Sequence, residues 1–312
     1  MRPCKAPISV LLLTVLLGCG RPGGSPTPVA SSLTLKIFLS KPEFFEGEPI
    51  YGLFELRNVG SDTVRIPPFG VNAGWLAAEL HRPDGSVAPG GRNMIVDYIC
   101  RETCNDDPVA PGQARYEPFI VQELWGERGP LPYGILFRRI DAGAYTLDVS
   151  FGLDRVPEST LVVASPVVFR VRSRRPAEDT VFLQFARFVA VDVRAWTVAD
   201  LDSALAWIDR RLAADSADPF ALDVLILSDT HTSVKRLPVD STVWTRIFQR
   251  ELAIAKAQAA SSAGAYAAAH LLGGRWSRKG ALCSTLAGTI AGDVACEREA
   301  ESARMQKSSR PH

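Results

Sequence analysis

The sequence is short of the residues that most enzyme chemistry needs. Four histidines in 312 residues leave few imidazoles for general-base work or for a metal cage. There is no Gly-x-Ser-x-Gly elbow, no His-Glu-x-x-His pair and no glycine–lysine phosphate loop, so the usual signatures of serine, zinc and nucleotide chemistry are missing. Neither sign of charge is in excess: 35 basic and 34 acidic residues give a net charge of +1. A nucleic-acid partner would need a clustered basic face. Arg172, Arg174 and Arg175 do sit together, but at a change of periodicity, where a solvated linker accounts for them. Long apolar runs are also lacking. Ile8 to Leu17 offers ten positions, softened by Ser9 and Thr14, against the roughly 20 of a membrane helix. Ala253 to Leu272 carries Lys256, Gln258 and His270, which makes it a poor span. What is present is ordinary globular composition, 46% hydrophobic and 22% charged, in a chain long enough for two domains with their own cores.

The N-terminus has the order of an export signal. Arg2 and Lys5 come first, the apolar run follows, and no acidic residue precedes Glu43. The run ends in Leu16-Leu17-Gly18-Cys19, which resembles the lipobox of bacterial lipoproteins. The resemblance implies removal of residues 1–18 by signal peptidase II, with Leu16, Leu17 and Gly18 as its recognition residues. It also implies a diacylglycerol group on the Cys19 thiol and further acyl chains such as palmitate. Residues 20–32 are mostly Gly, Pro, Ser, Thr and Ala, a composition that tethers and builds no core. Stretched, the tether reaches roughly 40 Å at about 3.3 Å per residue. The expected partner on this side is the membrane, through the lipid. Gly20 stands where some bacteria place an inner-membrane retention Asp, so the outer membrane is the expected address.

From Leu33 the apolar period becomes two. Leu33, Leu35, Ile37 and Leu39 alternate, Ile50 to Arg57 repeats the pattern, and Tyr145 to Phe151 and Val167 to Val171 follow. Turn chemistry punctuates these runs at Glu46-Gly47-Glu48-Pro49, Pro83-Asp84-Gly85 and Pro111-Gly112-Gln113. Seven or more short strands so spaced predict an antiparallel sandwich. Together with Arg57-Asn58-Val59-Gly60 and Gly143-Ala144-Tyr145, these features resemble bacterial immunoglobulin-like envelope domains, over residues 33–173. Some relatives in that group look like proteinase inhibitors. The section holding Trp125, Tyr133 and Phe137 fits no strand pattern. It reads either as an aromatic recognition patch or as a plug in which Trp125 and Phe137 close the open end of the sandwich.

After Arg175 the period becomes helical, and residues 176–305 read as a compact all-helical domain of five to seven helices, with a disordered tail over 306–312. Pro176 suits a first helical position with Glu178 and Asp179 behind it. Thr197-Val198-Ala199-Asp200 resembles a capping box, Asp218-Pro219 opens a helix, and Pro238, Asp240 and Ser241 open another. Paired helices loosely resemble tetratricopeptide packing, without its period.

Cysteine use fits an exported protein: after Cys4 and Cys19, four cysteines remain. Proximity favours Cys100 with Cys104 and Cys283 with Cys296. On one unbroken helix the second pair would lie roughly 20 Å apart at 1.5 Å per residue, so pairing requires a break at Gly288 or Gly292-Asp293. Val224 to His231 resembles the first block of metallophosphoesterases, in which Asp229 and His231 would be metal ligands. That chemistry needs an Asn-His block and further histidines. No Asn-His pair occurs, and only His270 and His312 lie downstream. No catalytic residue, metal or cofactor is therefore expected. The expected function is a lipid-anchored envelope protein that binds an unidentified envelope protein or polymer. An envelope hydrolase at Asp229 and His231 and a proteinase-inhibitor module are the alternatives. Mass spectrometry of the mature protein from its native host is expected to find an acylated Cys19 as the first residue; an unmodified or different terminus refutes the anchor.

Overall fold

The computed structural model describes residues 32–70, 75–88, 107–125, 140–153, 161–189, 196–235, 240–273 and 282–308, without the side chains of 230–235, 273 and 304–308. Ten strands and eight helices occur among them. Strands β1 (Leu33–Leu39), β3 (Tyr51–Asn58) and β7 (Ala114–Ile120) form one antiparallel sheet in the order β1-β3-β7. The other main sheet holds β2 (Glu43–Phe45), β10 (Val167–Arg172), β8 (Gly143–Gly152) and β5 (Leu76–His81), with β9 (Leu161–Val163) also on β8. A small ladder joins β4 (Val64–Ile66) to β6 (Asp107–Val109).

The two sheets face each other across one core. Leu33, Leu35 and Ile37 of β1 and Phe54 and Leu56 of β3 meet Tyr145, Leu147, Val149 and Phe151 of β8. The period of two thus does what the sequence implies, placing alternate side chains on the buried face. Stacked rings add specificity, with Phe54 and Phe119 centroids 4.0 Å apart and Tyr145 and Phe169 5.6 Å apart. The Tyr145 hydroxyl donates to the Asp141 carbonyl at 2.9 Å, pinning the entry to β8. Asn58, fully buried, donates to the carbonyls of Asp62 and Val109 at 2.7 and 2.8 Å and accepts from Gly60 N–H. One departure from an all-antiparallel arrangement is the parallel pairing of β2 with β10. The bend at residues 40–42 carries the chain from the β1 sheet to the other, so β2 arrives alongside the last strand in the same direction.

The predicted turns and caps are where the backbone chemistry requires them. Gly47, Gly85 and Gly112 have φ of 82°, 80° and 75°, values that glycine adopts without a Cβ clash. Helix α2 (Pro176–Val189) begins at Pro176, and α3 (Val198–Ala214) carries the full reciprocal capping box of Thr197 and Asp200. Asp218 accepts from Ala221 N–H at the start of α4 (Pro219–Lys235), and Asp240 caps α5 (Ser241–Ala257). Helix α4 continues beyond Ser228, where the apolar pattern ends.

Helices α6 (Ser262–Gly273), α7 (Leu282–Thr285) and α8 (Ile290–Ser308) complete the helical part; α1 (Val121–Leu124) is a single turn after β7. Residues 306–308, expected in the tail, belong to α8. Cys283 and Cys296 form a disulfide with Cα atoms 4.5 Å apart. The helix break that this requires falls at Gly288, φ 79°, while Gly292 lies inside α8. Two helix starts share one local solution. Ser261 Oγ donates to the Gln258 carbonyl and accepts from Gly264 N–H, and Thr289 Oγ1 does the same with Leu286 and Gly292. Each glycine lies against the preceding carbonyl so closely that an added Cβ would approach that oxygen to 2.2 Å at Gly264 and 2.0 Å at Gly292.

The helices are not a separate bead. Ala265 of α6 and Val294 of α8 bury Leu53 and Tyr116 on the outer face of the β1-β3-β7 sheet, and Tyr51 and Ile120 belong to the helical core. Two of the three clustered arginines are likewise committed to partners, while Arg175 is exposed. Arg172 forks onto Glu178 at 2.6 and 2.7 Å, and Arg174 donates to the Glu46 carbonyl at 2.9 Å while covering the Phe182 ring. The Arg172–Glu178 pair and the Arg174 hydrogen bond to the Glu46 carbonyl hold α2 against the β2 turn. Replacing Gly292 by Ala is expected to lower unfolding stability by about 1–3 kcal/mol through overpacking against a carbonyl that cannot rotate away. A urea titration checks it, and an unchanged midpoint contradicts the close approach.

Candidate functional site

The seam between the sheet and the helices concentrates the polar chemistry. Tyr51 of β3 is fully buried, and its hydroxyl donates to the Asp223 carboxylate of α4. Ser262 Oγ of α6 donates to the Tyr51 carbonyl at 2.7 Å. Further along, Tyr116 N–H donates to Glu297 Oε2 at 3.0 Å, and Arg298 reaches Glu117 at 2.9 Å. Gln122 stitches the sandwich side, accepting from Ile50 N–H at 3.0 Å and donating to the Glu48 carbonyl at 2.6 Å. Burial pushes Asp223 up to about 8 against the Tyr51 hydrogen bond, and pushes Glu297 up to about 7 against the nearby Arg298 charge.

A cleft of about 480 Å³ opens at one end of this seam. The sandwich contributes Ser40, Lys41, Glu48 and Tyr51, and the helical side contributes Asp215, Pro219, Gln258 and small residues of the turn between α5 and α6. Lys41 Nζ lies 2.6 Å from Glu48 Oε1 and within 6 Å of the Phe44 and Phe45 rings, at 5.4 and 5.9 Å. Burial raises the Glu48 pKa, with Lys41 opposing. Gln258 Nε2 is buried and donates to no acceptor among the described residues. A buried unmet donor costs roughly 1–3 kcal/mol.

A second polar cluster lies within the helices. His270 of α6 meets Glu251 of α5, Nδ1 to Oε1 at 2.6 Å, and its Nε2 lies 3.9 Å from Asp229 Oδ2 of α4. Burial pushes the imidazole pKa down, but the Glu251 hydrogen bond and charge prevail and the net shift is upward. Burial also raises Glu251, with His270 opposing. The arrangement ties three helices together and, among the described residues, presents no hydroxyl or thiol nucleophile in hydrogen-bond contact with the imidazole.

These positions bear directly on the residues singled out from sequence. Asp229 stands on a helix, so the strand that would present an Asp-x-His pair to two metals is not there; His231 is on the same helix. Among the described residues no group of three or more His, Cys, Asp or Glu side chains is placed to hold a metal ion. Trp125 is 2% exposed and packs in the sandwich core, which removes it from any recognition patch: its large apolar ring gains more from burial than from solvent contact. Tyr133, Phe137, Cys100, Cys104, Leu16, Leu17, Gly18 and Cys19 lie outside the described residues. No described helix is long and apolar enough to cross a membrane. The cleft residues and the Tyr51–Asp223 pair went unnoticed in sequence. The one signal was Tyr51 and Leu53 standing on the supposedly polar face of β3.

A scan against protein-family models finds no match, nor does a search of curated proteins. Among solved structures the chain is similar to a CARDB domain from Pyrococcus furiosus in complex with di-metal ions, at 10% identity, TM-score 0.24, covering 46% of this chain and 94% of that one. It is also similar to the sporulation control protein Spo0M from Bacillus subtilis, at 12% identity, TM-score 0.25, covering 50% and 55%. A beta-glucosidase from Listeria innocua in complex with glucose matches at 9% identity, TM-score 0.23, covering 45% of this chain and 16% of the enzyme. At such scores the likeness transfers neither topology nor activity.

The two raised carboxyls make the seam sensitive to alkali. Their folded pKa values lie above the ordinary 3.8 and 4.5, so the folded state binds more protons, and stability falls as pH rises through that window. Their contribution is full below about pH 4 and gone above about pH 8. Thermal unfolding is expected to move to lower temperature between about pH 5 and pH 9, with a shallower slope in Asp223→Asn, which mimics the protonated acid. Equal slopes in both proteins would contradict the assignment.

Proposed function

We propose that this chain is a lipid-anchored cell-envelope protein of binding type, held through acylated Cys19 and using the cleft between sandwich and helices as its recognition site. The sandwich in this reading is immunoglobulin-like; the Tyr145 hydroxyl anchored to the backbone four residues upstream supports that, since such corners recur in those folds. The observation that carries the binding reading is the cleft itself, walled by two layers that the Tyr51–Asp223 contact holds together. Ligand sites favour such junctions between layers, where concavity and preset polar groups coincide. The non-enzymatic part rests on the sequence, which holds none of the serine, zinc or nucleotide signatures.

Cell fractionation with in-cell crosslinking tests the reading. The native chain is expected in the membrane fraction and Cys19→Ser in the soluble one. Crosslinked partners of the native chain are expected to be lost in Lys41→Glu. A soluble native chain refutes the anchor, and partners unaffected by the cleft substitution refute the site.

A further inference from the structure

The sandwich has two outer faces, and the helices cover one of them. Ala265 of α6 and Val294 of α8 lie on the β1-β3-β7 sheet. On the opposite side, the outer face of the β8 sheet carries Leu161 and Val163 of β9 and Val168 of β10, which are 49%, 68% and 66% exposed. Register places the three in one row. Both β9 and β10 pair with β8 on the side away from β5, so Leu161, Val163 and Val168 stand opposite Gly152, Ser150 and Thr146. From Gly152 to Thr146 the row runs roughly 20 Å, at about 3.3 Å per residue. On the other side of β8, Ala77 stands opposite Ser150 and Glu79 opposite Asp148. Two carboxylates placed directly across a ladder repel. Among the described residues His81 is the basic group that reaches them, 2.9 Å from Asp148 and 3.8 Å from Glu79. Both carboxylate side chains stay well exposed, Asp148 at 42% and Glu79 at 51%.

An apolar row beside an acid pair restricts what fits against it. A lipid surface offers apolar contact, but its phosphates would bring negative charge to Glu79 and Asp148. A second copy laid face to face about a twofold axis through the patch must match each residue with its own equivalent near that axis. Asp148 is on the middle strand, close to the centre of the row, so the two copies would oppose carboxylates at the contact centre. A helix with an apolar stripe and a basic flank meets both demands. About four turns of 5.4 Å cover the length of the row. Apolar side chains at helical spacing then cover Leu161, Val163 and Val168, and lysines or arginines beside the stripe pair with Glu79 and Asp148. The small side chains of Thr146, Ser150 and Ala77, and Gly152 with none, let the helix settle between row and acids.

We infer that the outer face of the β8 sheet docks a basic amphipathic helix of another protein, its apolar stripe on Leu161, Val163 and Val168 and its cations toward Glu79 and Asp148. This surface shares no residue with the cleft and stands or falls independently of it. The test uses the full chain carrying Cys19→Ser, so that no lipid competes for the peptide. Fluorescence anisotropy follows its binding to a labelled amphipathic helix of leucine and lysine, about 14 residues long, and to the same helix with glutamate for lysine. The lysine form is expected to bind, and the glutamate form to bind about tenfold more weakly. Val163→Ser with Val168→Ser is expected to weaken the lysine form about tenfold. Glu79→Lys with Asp148→Lys is expected to invert the preference between the two peptides. Thermal unfolding of each variant shows that it remains folded, since all four positions are on the surface. No binding of the lysine form, equal binding of both forms, or a preference that charge inversion leaves unchanged would overturn the inference. So would a dimer in sedimentation, or attachment to phosphatidylglycerol vesicles, that the valine substitutions abolish, because the face would then belong to a second copy or to a membrane.

Discussion

Strand β3 is buried on both of its faces, and the architecture follows from that constraint. Phe54 and Leu56 point into the sandwich, while Tyr51 and Leu53 point into the helices. A strand so placed has every backbone group committed to its neighbours, β1 on one side and β7 on the other. The Tyr51–Asp223 contact then fixes how the helical layer is rotated on the sheet, because a buried hydroxyl and carboxyl group tolerate no slip without losing each other. The cleft is a by-product of this fit. It forms where the crossover between sheets leaves room beside the turn joining α5 to α6.

The same seam explains the choice of residues around it. Small side chains on α6 allow close approach to the sheet, with Ala265 and Ala267 fully buried. Gly264 and Gly292 let two successive helices start almost in contact with the carbonyls that precede them. Larger residues at these four positions would push the helices off the sheet and expose Leu53 and Tyr116. The disulfide acts at the far edge of this layer: it holds α7 against α8, and Glu299 of α8 accepts from the first two N–H groups of α7, those of Leu282 and Cys283.

Local chemistry was readable in the sequence, and long-range packing was not. The Thr197–Asp200 box, Pro176, Asp218-Pro219 and the glycines at 47, 85 and 112 act within a few residues of themselves, so their meaning survives without a structure. Period two found β1 and β8 for the same reason. The docking of helices on the sheet was missed because the deviation from alternation is small: β3 carries a glycine, two aromatics and two leucines in a run that also reads as one-sided. Trp125 stood between patch and plug because large aromatics suit both binding surfaces and cores, and its burial in the sandwich core agrees with the plug. The arginine cluster misled because charge next to a boundary looks solvated until its partners, Glu46 and Glu178, are seen. The cleft was invisible for a deeper reason. Lys41, Asp215 and Gln258 are far apart in sequence, and nothing in any one segment announces that they meet.

The register of β1 has a mechanical consequence. All seven of its residues pair with β3, from Leu33 with Asn58 to Leu39 with Gly52, and β3 is itself clamped between two layers. Tension entering the folded body at Leu33 along the strand must shear this whole ladder at once and cannot peel it bond by bond. Under such a load the lifetime of the fold is set by the rate at which the ladder ruptures, a kinetic property distinct from its equilibrium stability.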